Sequence, residues 1–501
     1  MSKDDKQYEV IDSISPSFCG AKWYNASVWL NNGMTASCHH PPAHRIPLDE
    51  LKRSAKALHN TKYKKMVRQQ MLNGEFPKEC DYCWKVEGLG KHNVSDRVFK
   101  SNIYSIEDLK RCQTEFKASE DVDLKTLEIA FDSNCNFACS YCNPSFSTTW
   151  QGDIKASGPY QNMVSDGAAA YQQDGAWTIP YGLKNVGNPY IQAFWEWWES
   201  DLQSSLTELR ITGGEATMSA DFWRLMDWWK EHPDCNVRLA VNSNLGAKKH
   251  LIERLAETTH SFKEFDLYTS NESFGEHAEY IRDGLVWDTW LENMTLMLEK
   301  GNLRSMHVMM TINGLCLFSL VEFMEEMFKL KELYPTKGVY MSFNILRFPS
   351  FMATVTLPPH IREQQADKLE NWLGENQDRK HFASFEKDSL RRLIDYIRKT
   401  DVGHNHTSSL LSRERDFKSF HVQYDSRRGK NFRKTFADQE LLLDWYNSIP
   451  ETDLEVKQVL VNGSSSGYTD QLAEELSSQA EKEGWVLTPQ GANPGSQEFI
   501  E

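Results

Sequence analysis

Three closely spaced cysteines constrain this chain more than any other feature of its sequence. They are Cys135, Cys139 and Cys142, and their spacing is C-x3-C-x2-C. Iron–sulfur clusters are normally held by four cysteine thiolates, so a cluster held by three keeps one iron free for another ligand. A structural zinc site instead needs a closed shell of four ligands. The spacing therefore indicates an iron–sulfur site with one open position.

A second set of cysteines lies in the first hundred residues. It consists of Cys19, Cys38, Cys80 and Cys83. The C-x2-C spacing of the last two suits zinc as well as an iron–sulfur cluster. The chain has ten cysteines, and their clustering favours metal binding over a disulfide framework. The remaining three have no partner at metal-binding spacing and are predicted to be buried structural thiols: Cys112, Cys235 and Cys316.

Length, charge and hydropathy exclude several classes of protein. The 501 residues are enough for two or three domains with a substantial core. The formal net charge of −15 disfavours broad electrostatic binding to nucleic acid. No run of 18 or more apolar residues occurs, and the charged N-terminus lacks an apolar signal segment. A cytoplasmic protein without a membrane span is therefore expected.

Short apolar runs alternate with helical patterns over the middle of the chain. Alternation of this kind predicts βαβ units and a parallel sheet, either a partial barrel or a doubly wound sheet. The predicted strands are 127–131, 206–212, 237–242, 264–269, 305–312 and 338–346. The predicted helices between them are 221–231, 248–257, 287–300 and 317–333. Tryptophan-rich runs at 194–198 and 222–229 are predicted to be buried helix faces rather than a cofactor site.

Two regions outside these units are less regular. Residues 143–202 are rich in Gly, Ser, Asn and Gln, which predicts a long loop that is a lid, a plain insertion or disordered. After Pro358 and Pro359 the chain becomes charged and helical, with helices predicted at 361–376 and 387–399. Further on, the sequence predicts a strand at 456–461 and a flexible tail at 489–501.

The three-cysteine run, with Tyr141 just before its last cysteine, resembles the signature of the radical S-adenosylmethionine (SAM) enzymes. The resemblance implies a partial (β/α)6 barrel and a [4Fe–4S] cluster whose open iron binds SAM. One electron then cleaves SAM to methionine and a 5′-deoxyadenosyl radical, which takes a hydrogen atom from the substrate. The electron would come from a donor such as flavodoxin or ferredoxin.

The N-terminal cysteines and their surroundings resemble the auxiliary-cluster modules called SPASM and twitch domains. The resemblance implies that Cys19, Cys38, Cys80 and Cys83 fully ligate a second [4Fe–4S] cluster, with zinc as the alternative metal. In most relatives this module follows the barrel, whereas here it precedes it. The expected organisation is an auxiliary-cluster domain at 1–100, the barrel at 120–350 and a mostly helical C-terminal region at 351–501.

The resemblance also assigns candidate SAM-binding residues at the carboxyl ends of predicted strands, where α/β barrels build their sites. Gly213, Gly214 and Glu215 match the GGE motif, which in relatives engages the SAM amino group. Arg282 lies in a segment whose arginine reaches the SAM carboxylate, with a solvent-exposed helix arginine as the alternative. The other candidates are Tyr141, Ser243, Asn244 and, with least support, Asn313. Ser270 begins the segment 270–273, which the resemblance assigns as an edge that contacts the SAM ribose.

The expected function is a two-cluster radical SAM enzyme that modifies or oxidises a peptide or protein side chain. A radical SAM dehydrogenase acting on a sugar or small metabolite is an alternative. A second alternative is a non-catalytic binding protein stabilised by zinc or an iron–sulfur cluster. The sequence assigns no catalytic side chain beyond the cluster ligands.

Overall fold

The structure is a computed structural model that describes residues 3–88, 94–115, 117–172, 187–399 and 407–450. The strand predicted at 456–461 and the tail predicted at 489–501 lie outside these residues. Within the described ranges, no helix is both long enough and apolar enough to cross a membrane.

The N-terminal region is built from short helices, three strands and a hydrophobic core of its own. The helices are α1 (Lys3–Ile14), α2 (Ala21–Tyr24), α3 (Leu48–Leu51), α4 (Lys62–Leu72), α5 (Asp81–Gly88), α6 (Asp96–Ser101) and α7 (Ile106–Thr114). The strands are β1 (Asn25–Trp29), β2 (Met34–Ala36) and β3 (His44–Arg45). Ile11, Phe18, Trp23, Met71 and Leu109 are fully buried together in this core. The region therefore packs around apolar side chains as well as around its cysteines.

Six parallel strands form the centre of the molecule, each close to a strand that the sequence predicts. They are β4 (Thr126–Ala130), β6 (Glu208–Thr212), β7 (Arg238–Ser243), β8 (Phe265–Ser270), β10 (Ser305–Ile312) and β11 (Gly338–Ile345). Two shorter strands, β5 (Ala138–Cys139) and β9 (Arg282–Asp283), pair with each other outside this sheet. β10 is buried along almost its whole length, as expected for a parallel strand covered on both faces.

The order of the strands confirms the prediction of a partial barrel and excludes the alternative of a doubly wound sheet. The six parallel strands lie side by side in the order in which they occur in the chain. A doubly wound sheet reverses its strand order at a switch point between parallel strands, and no reversal occurs among the six described parallel strands, because only the antiparallel strands β2 and β3 lie on the far side of β1. Because βαβ crossovers are right-handed, this order places the connecting helices on one face. β11 and β4 do not pair with each other in the described sheet, which is therefore open.

The N-terminal strands extend the same sheet beyond β4. β1 pairs with β4 in parallel, with Ser27 opposite Glu128 and Trp29 opposite Ala130. β2 pairs with β1, and β3 with β2, in antiparallel directions. The cysteine-bearing N-terminal region is thus joined by backbone hydrogen bonds to the first strand of the barrel. The domain boundaries expected from the sequence stay a prediction.

Helices fill most of the chain between these strands. They are α8 (Thr148–Ser157), α9 (Ala169–Gln172), α10 (Pro189–Trp197), α11 (Gln203–Ser205), α12 (Ala220–Glu231), α13 (Lys249–Thr258), α14 (Gly275–Ile281), α15 (Trp287–Lys300) and α16 (Leu320–Leu333). The prediction that the tryptophan-rich runs are buried helix faces is confirmed, since Trp197 and Trp229 are almost inaccessible to solvent.

The prediction of a long loop at 143–202 is wrong for the part of this segment that the structure describes. α8, α9 and α10 lie in this segment, and a π-helical turn at Trp198–Leu202 leads into α11. The polar composition concealed large aromatic side chains, Trp150, Tyr160 and Tyr171, all of which are buried. Their burial stabilises the segment as part of the core.

The C-terminal region is mostly helical in its described part, as predicted. Its helices are α17 (Pro359–Asn376), α18 (Ser384–Arg398), α19 (Leu410–Arg428), α20 (Phe432–Thr435) and α21 (Glu440–Ser448). α19 packs against the segment that follows β4, with the Phe420 ring 5.2 Å from the ring of Tyr160 and 5.3 Å from that of Tyr171. The C-terminal region therefore covers the loop that carries the three-cysteine run.

Candidate functional site

The three-cysteine run lies in the loop between β4 and α8, at the carboxyl edge of the sheet. Thr148, in the first turn of α8, accepts a hydrogen bond from the Cys135 backbone N–H at 3.1 Å. The Trp150 indole donates to the Cys139 carbonyl at 3.0 Å. Cys139 also pairs with Arg282 in the β5–β9 ribbon. The helix α8, the Trp150 indole and the β5–β9 ribbon together fix the backbone that carries the thiols.

The thiols of this loop share one environment, in which Cys139 is buried and Cys135 and Cys142 are half-buried. Burial, together with the neighbouring Cys139 thiol, raises the pKa of Cys135 to about 12. Burial raises the pKa of Cys139 to about 11, although the Arg282 guanidinium lowers it. Burial and then the other two thiols raise the pKa of Cys142 well above its ordinary value. The structure therefore brings the three predicted ligands close enough to interact electrostatically.

The GGE segment touches the backbone just before the cysteines. Gly213 has φ +122°, a conformation that L side chains rarely adopt. A Cβ on Gly214 would lie 2.3 Å from the Asn134 carbonyl oxygen. The Glu215 backbone N–H donates to that same oxygen at 2.6 Å. Both glycines are therefore needed where the end of β6 meets the start of the cysteine loop.

The Glu215 carboxylate joins the ends of two neighbouring strands. Its Oε1 accepts hydrogen bonds from the Thr217 hydroxyl at 2.6 Å and the Ser243 hydroxyl at 2.7 Å. Its Oε2 accepts from the Asn244 backbone N–H at 2.6 Å. Burial raises the pKa of Glu215, and these hydrogen bonds partly lower it again. Glu215 thus holds Ser243 and Asn244, both predicted site residues, in fixed positions at the end of β7.

Asn244 links this strand end to the cysteine loop. Its side-chain amide donates to Asn136 Oδ1 at 2.9 Å and lies 3.8 Å from Cys135 Sγ, within the range of an N–H···S hydrogen bond. Hydrogen bonds to sulfur are among the factors that set the potential of an iron–sulfur cluster. The structure therefore places Asn244 beside a predicted cluster ligand.

Arg282 is buried in the site, which excludes the alternative of a solvent-exposed helix arginine. Its Nε and Nη2 donate to Glu272 Oε2 at 3.1 and 2.5 Å. Its Nη1 lies 3.8 Å from Cys139 Sγ. The Tyr141 hydroxyl donates to the same carboxylate at 3.1 Å. Burial lowers the pKa of Arg282, but Glu272 and Tyr141 raise it more, so the guanidinium stays charged.

Sequence reasoning included Glu272 only as part of the predicted ribose-contacting segment 270–273 and missed its contacts with Tyr141 and Arg282. This fully buried carboxylate accepts hydrogen bonds from Tyr141 and Arg282, two predicted site residues that are far apart in the sequence. Its position just after β8 was the available signal, because carboxyl ends of barrel strands carry the sites of such folds. The neighbouring Asn271 side-chain N–H2 is buried without a hydrogen-bond partner in the described part of the chain. It is therefore available to a ligand.

The remaining predicted positions lie at the same edge but are less directly involved. Ser270 ends β8 and is half-buried. Asn313 is buried after β10, and its side-chain oxygen accepts backbone hydrogen bonds from Leu315 and Cys316. Among the three cysteines predicted to be buried thiols, Cys112 and Cys316 are buried, but Cys235 is only half-buried. It follows α12 in a turn near the surface, so that part of the prediction is wrong.

The four N-terminal cysteines meet around one small cavity. Cys19, Cys38, Cys80 and Cys83 all line it, although the first and last are 64 positions apart. Burial raises the pKa of Cys38 to about 11, with the Cys19 thiol adding to the effect. Burial raises the pKa of Cys80 and of Cys83 further. The fold therefore brings together the four thiols that the sequence groups.

Cationic side chains surround this cavity. Lys22, Arg97 and Lys100 line it with the cysteines. Lys22 is buried and forms an ion pair with Glu79. Burial lowers the pKa of Lys22, but Cys80, Glu79 and Cys38 raise it more, so the amine is charged. Positive charge at this position favours thiolates over thiols, as metal binding requires.

Both cysteine sets fit the clusters that the resemblance implies. The donors of each set are buried or half-buried thiols that affect one another electrostatically. The four-thiol cavity matches a fully ligated cluster, and the three-thiol loop matches a cluster with one open iron. Because clusters bind thiolates, filling either site would release the protons that burial retains on sulfur.

Comparison with known proteins adds structural neighbours only. Neither a family model nor a curated protein matches the sequence. Native anSMEcpe with bound AdoMet is 12% identical over 50% of this chain and 60% of that chain, with a TM-score of 0.31. Streptococcus suis SuiB bound to S-adenosylmethionine is 13% identical over 70% of this chain and 68% of that one, with a TM-score of 0.34. SuiB bound to the precursor peptide SuiA has a TM-score of 0.32 at 12% identity, with 71% of this chain and 70% of that chain covered.

This chain thus spans about 60% of the length of the anSMEcpe structure that it matches. Both neighbours hold SAM, the cofactor that the sequence resemblance implies. At these TM-scores, the likeness carries no argument about the activity of this chain.

Proposed function

We propose that this chain is a radical SAM enzyme with two iron–sulfur clusters. One observation carries the proposal: the GGE segment, Asn244 and Arg282 all meet the three-cysteine loop at the carboxyl edge of a sequentially ordered parallel sheet. These residues come from four separate parts of the sequence. A buried thiol site without a cofactor would not need a guanidinium and two glycines at the same loop.

The chain's own residues divide the work of binding SAM. When bound, the cluster and SAM would supply a 5′-deoxyadenosyl radical for hydrogen abstraction. Arg282 offers a fixed charged donor for the SAM carboxylate, and Glu272 holds that donor in place. Glu215 Oε2 accepts one described hydrogen bond, so it retains a lone pair for the SAM amino group. Asn271, next to Glu272, offers a side-chain NH2 group that has no hydrogen-bond partner among the described residues.

The four-cysteine cavity is proposed to hold the second cluster. Four thiolates close the coordination shell, which suits electron transfer or structure rather than SAM binding. A cluster of this kind can accept the electron that remains after hydrogen abstraction, so net oxidation of the substrate follows naturally. We propose a peptide or protein side chain as substrate, with a sugar or small metabolite as the alternative. A flavodoxin or ferredoxin in the cytoplasm is the proposed electron donor.

The proposal is tested by SAM cleavage in anaerobically purified protein reduced with dithionite. Wild type is expected to release 5′-deoxyadenosine, and Cys139→Ala to release none, because the open-iron cluster then lacks a ligand. Cys235→Ala is the matched control, since this half-buried thiol lies outside both cysteine sets. Cleavage that persists in Cys139→Ala would contradict the assignment. Zinc in both sites without any cleavage by wild type would support the non-catalytic binding protein instead.

The substrate class needs a separate experiment. Candidate peptides and metabolites carrying deuterium would be incubated with the enzyme and unlabelled SAM. Transfer of deuterium into 5′-deoxyadenosine identifies the molecule from which hydrogen is taken. Transfer from a labelled sugar but from no peptide would overturn the proposed substrate class and leave the radical SAM assignment intact.

A further inference from the structure

Two adjacent histidines and one aspartate converge beside the four-cysteine cavity. His40 Nε2 lies 2.7 Å from Asp96 Oδ2, and His39 Nε2 lies 3.1 Å from the same oxygen. The three ligand atoms all lie within 4.8 Å of one another. His39 and His40 directly follow Cys38, whereas Asp96 begins α6, 56 residues after His40. Tertiary folding therefore assembles the group.

Of the two imidazoles, only that of His40 is aligned for a hydrogen bond with Asp96 in the described part of the chain. His39 Nε2 is buried and has no aligned hydrogen-bond partner among the described residues, despite its distance from Asp96. Both imidazole nitrogens approach the same carboxylate oxygen, Asp96 Oδ2. A buried nitrogen that lacks a partner is costly, and a cation between the three atoms would remove that cost.

Neighbouring side chains hold the group in place. The His40 ring stacks on the ring of Tyr82, with centroids 3.9 Å apart. Tyr82 lies between Cys80 and Cys83, so this stacking connects the group to the wall of the cavity. The side chains of His39, His40 and Asp96 are 11%, 10% and 18% exposed to solvent. The group is thus fixed, yet open enough for water to supply a further ligand.

We propose that His39, His40 and Asp96 bind one divalent transition-metal ion of the zinc class, separate from both cysteine sets. Imidazole nitrogen and carboxylate oxygen both ligate zinc at about 2.0–2.2 Å, and three protein ligands plus water complete a tetrahedral shell. The ion joins the Cys38 loop to the start of α6. His40 and Asp96 themselves line the four-cysteine cavity, so the ion stabilises its wall although it binds none of the four thiols.

Zinc retention and X-ray absorption of the full chain test this site. The anaerobically purified protein, with its iron retained, is incubated with zinc chloride and desalted. The expected result is one zinc per chain with nitrogen or oxygen neighbours at about 2.0–2.1 Å and no sulfur at about 2.3 Å. His39→Ala and Asp96→Asn are each expected to weaken zinc binding by at least roughly 100-fold, with iron content unchanged.

Two control variants, and the distinction between sulfur and nitrogen or oxygen neighbours of the zinc, complete the test. His260→Ala and Asp49→Asn remove surface groups of the same types and are expected to retain zinc. Wild type that retains no zinc would overturn the proposal, whatever the folding of the variants. Zinc with sulfur neighbours, lost in Cys80→Ala but kept in His39→Ala, would also overturn it. That last result would in addition contradict the proposed second cluster, so the two failures are distinguishable.

Discussion

Gly214 allows two backbone segments of the site to approach within hydrogen-bonding distance. The end of β6 meets the loop before Cys135 through the contact between the Glu215 N–H and the Asn134 carbonyl. A methyl group at position 214 would lie 2.3 Å from that carbonyl oxygen, and backbone atoms cannot move aside cheaply. The requirement at this position is therefore steric.

A Gly214→Ala variant tests this requirement. We expect a loss of stability of about 1–3 kcal/mol, typical of overpacking, and weaker SAM binding because the strand end and the cysteine loop move apart. The measurements are urea unfolding and the SAM dissociation constant.

Gly152→Ala is the matched control for this substitution. Gly152 lies within α8, and an added Cβ there meets no atom within 4 Å. Alanine is expected to stabilise that helix by about 0.5–1 kcal/mol relative to glycine. Equal stability and SAM affinity in the two variants would show that the close approach at Gly214 is unimportant.

Individual side chains show where sequence reasoning succeeded and where it stopped. The family resemblance identified the GGE segment because its three residues are adjacent in the chain, although the contact that they make with Asn134 is long-range. Glu272 could not be identified in this way, since its importance depends on Tyr141 and Arg282, which only folding brings to it. Pairing between distant side chains leaves no local pattern.

At the scale of elements, α19 fastens the C-terminal region to the cysteine loop. The Tyr424 hydroxyl donates to the Ala138 carbonyl at 3.1 Å, directly before Cys139. Arg428 forms an ion pair of 2.8 Å with Asp283 in β9. The helix thus holds both strands of the β5–β9 ribbon, which carries a predicted cluster ligand and the predicted SAM-binding arginine.

The other end of α19 is anchored by a buried carboxylate. Asp416 accepts hydrogen bonds from the Val164 and Ser165 backbone N–H groups at 2.9 and 2.6 Å. Burial raises the pKa of Asp416 to about 6, although these hydrogen bonds act in the opposite direction. A carboxyl whose folded pKa exceeds its ordinary value of 3.8 stabilises the fold below that value, and this contribution is lost as pH rises through about 6.

Asp416→Asn therefore has a predictable effect on the pH dependence of stability. Between pH 5 and pH 7.5, the free energy of unfolding of wild type should fall by about 1 kcal/mol relative to the variant. Urea unfolding of both proteins at each pH measures this difference, and titration of all other groups cancels in it. A difference that stays constant or grows with pH would contradict the raised pKa.

At the scale of the whole molecule, two hydrophobic cores accompany two cysteine sets. The N-terminal core packs around the four-cysteine cavity, and the main core packs the sheet against its helices. They are connected through the pairing of β1 with β4. Because each thiol set lies against a different core, we expect each to bind its metal independently.

A Cys80→Ala, Cys83→Ala double variant tests this independence. It should lose the iron of one cluster but retain some uncoupled cleavage of SAM, because the three-cysteine loop is untouched. Iron content and 5′-deoxyadenosine release are the measurements. Cys112→Ala is the control, since this thiol belongs to the same N-terminal core but does not line the cavity. Unchanged iron in the double variant would refute the second cluster site.

The sequence alone determined the parts of this protein that depend on neighbouring residues. Period and spacing located the six parallel strands, the helices between them and the three-cysteine loop, whereas the GGE segment came from the family resemblance. The strands, helices and cysteine loop follow from local backbone preference or from ligands supplied within one short loop. The composition of 143–202 misled because a few buried aromatic side chains outweigh many polar ones in deciding whether a segment packs.

Only the tertiary structure decided how these parts combine. The sequential strand order, the extension of the sheet by β1–β3, the covering of the cysteine loop by α19 and the Tyr141–Glu272–Arg282 contacts are all long-range. Such pairings are selected by burial and charge compensation across the folded chain. They depend on which surfaces meet in three dimensions, and no spacing along one sequence records that.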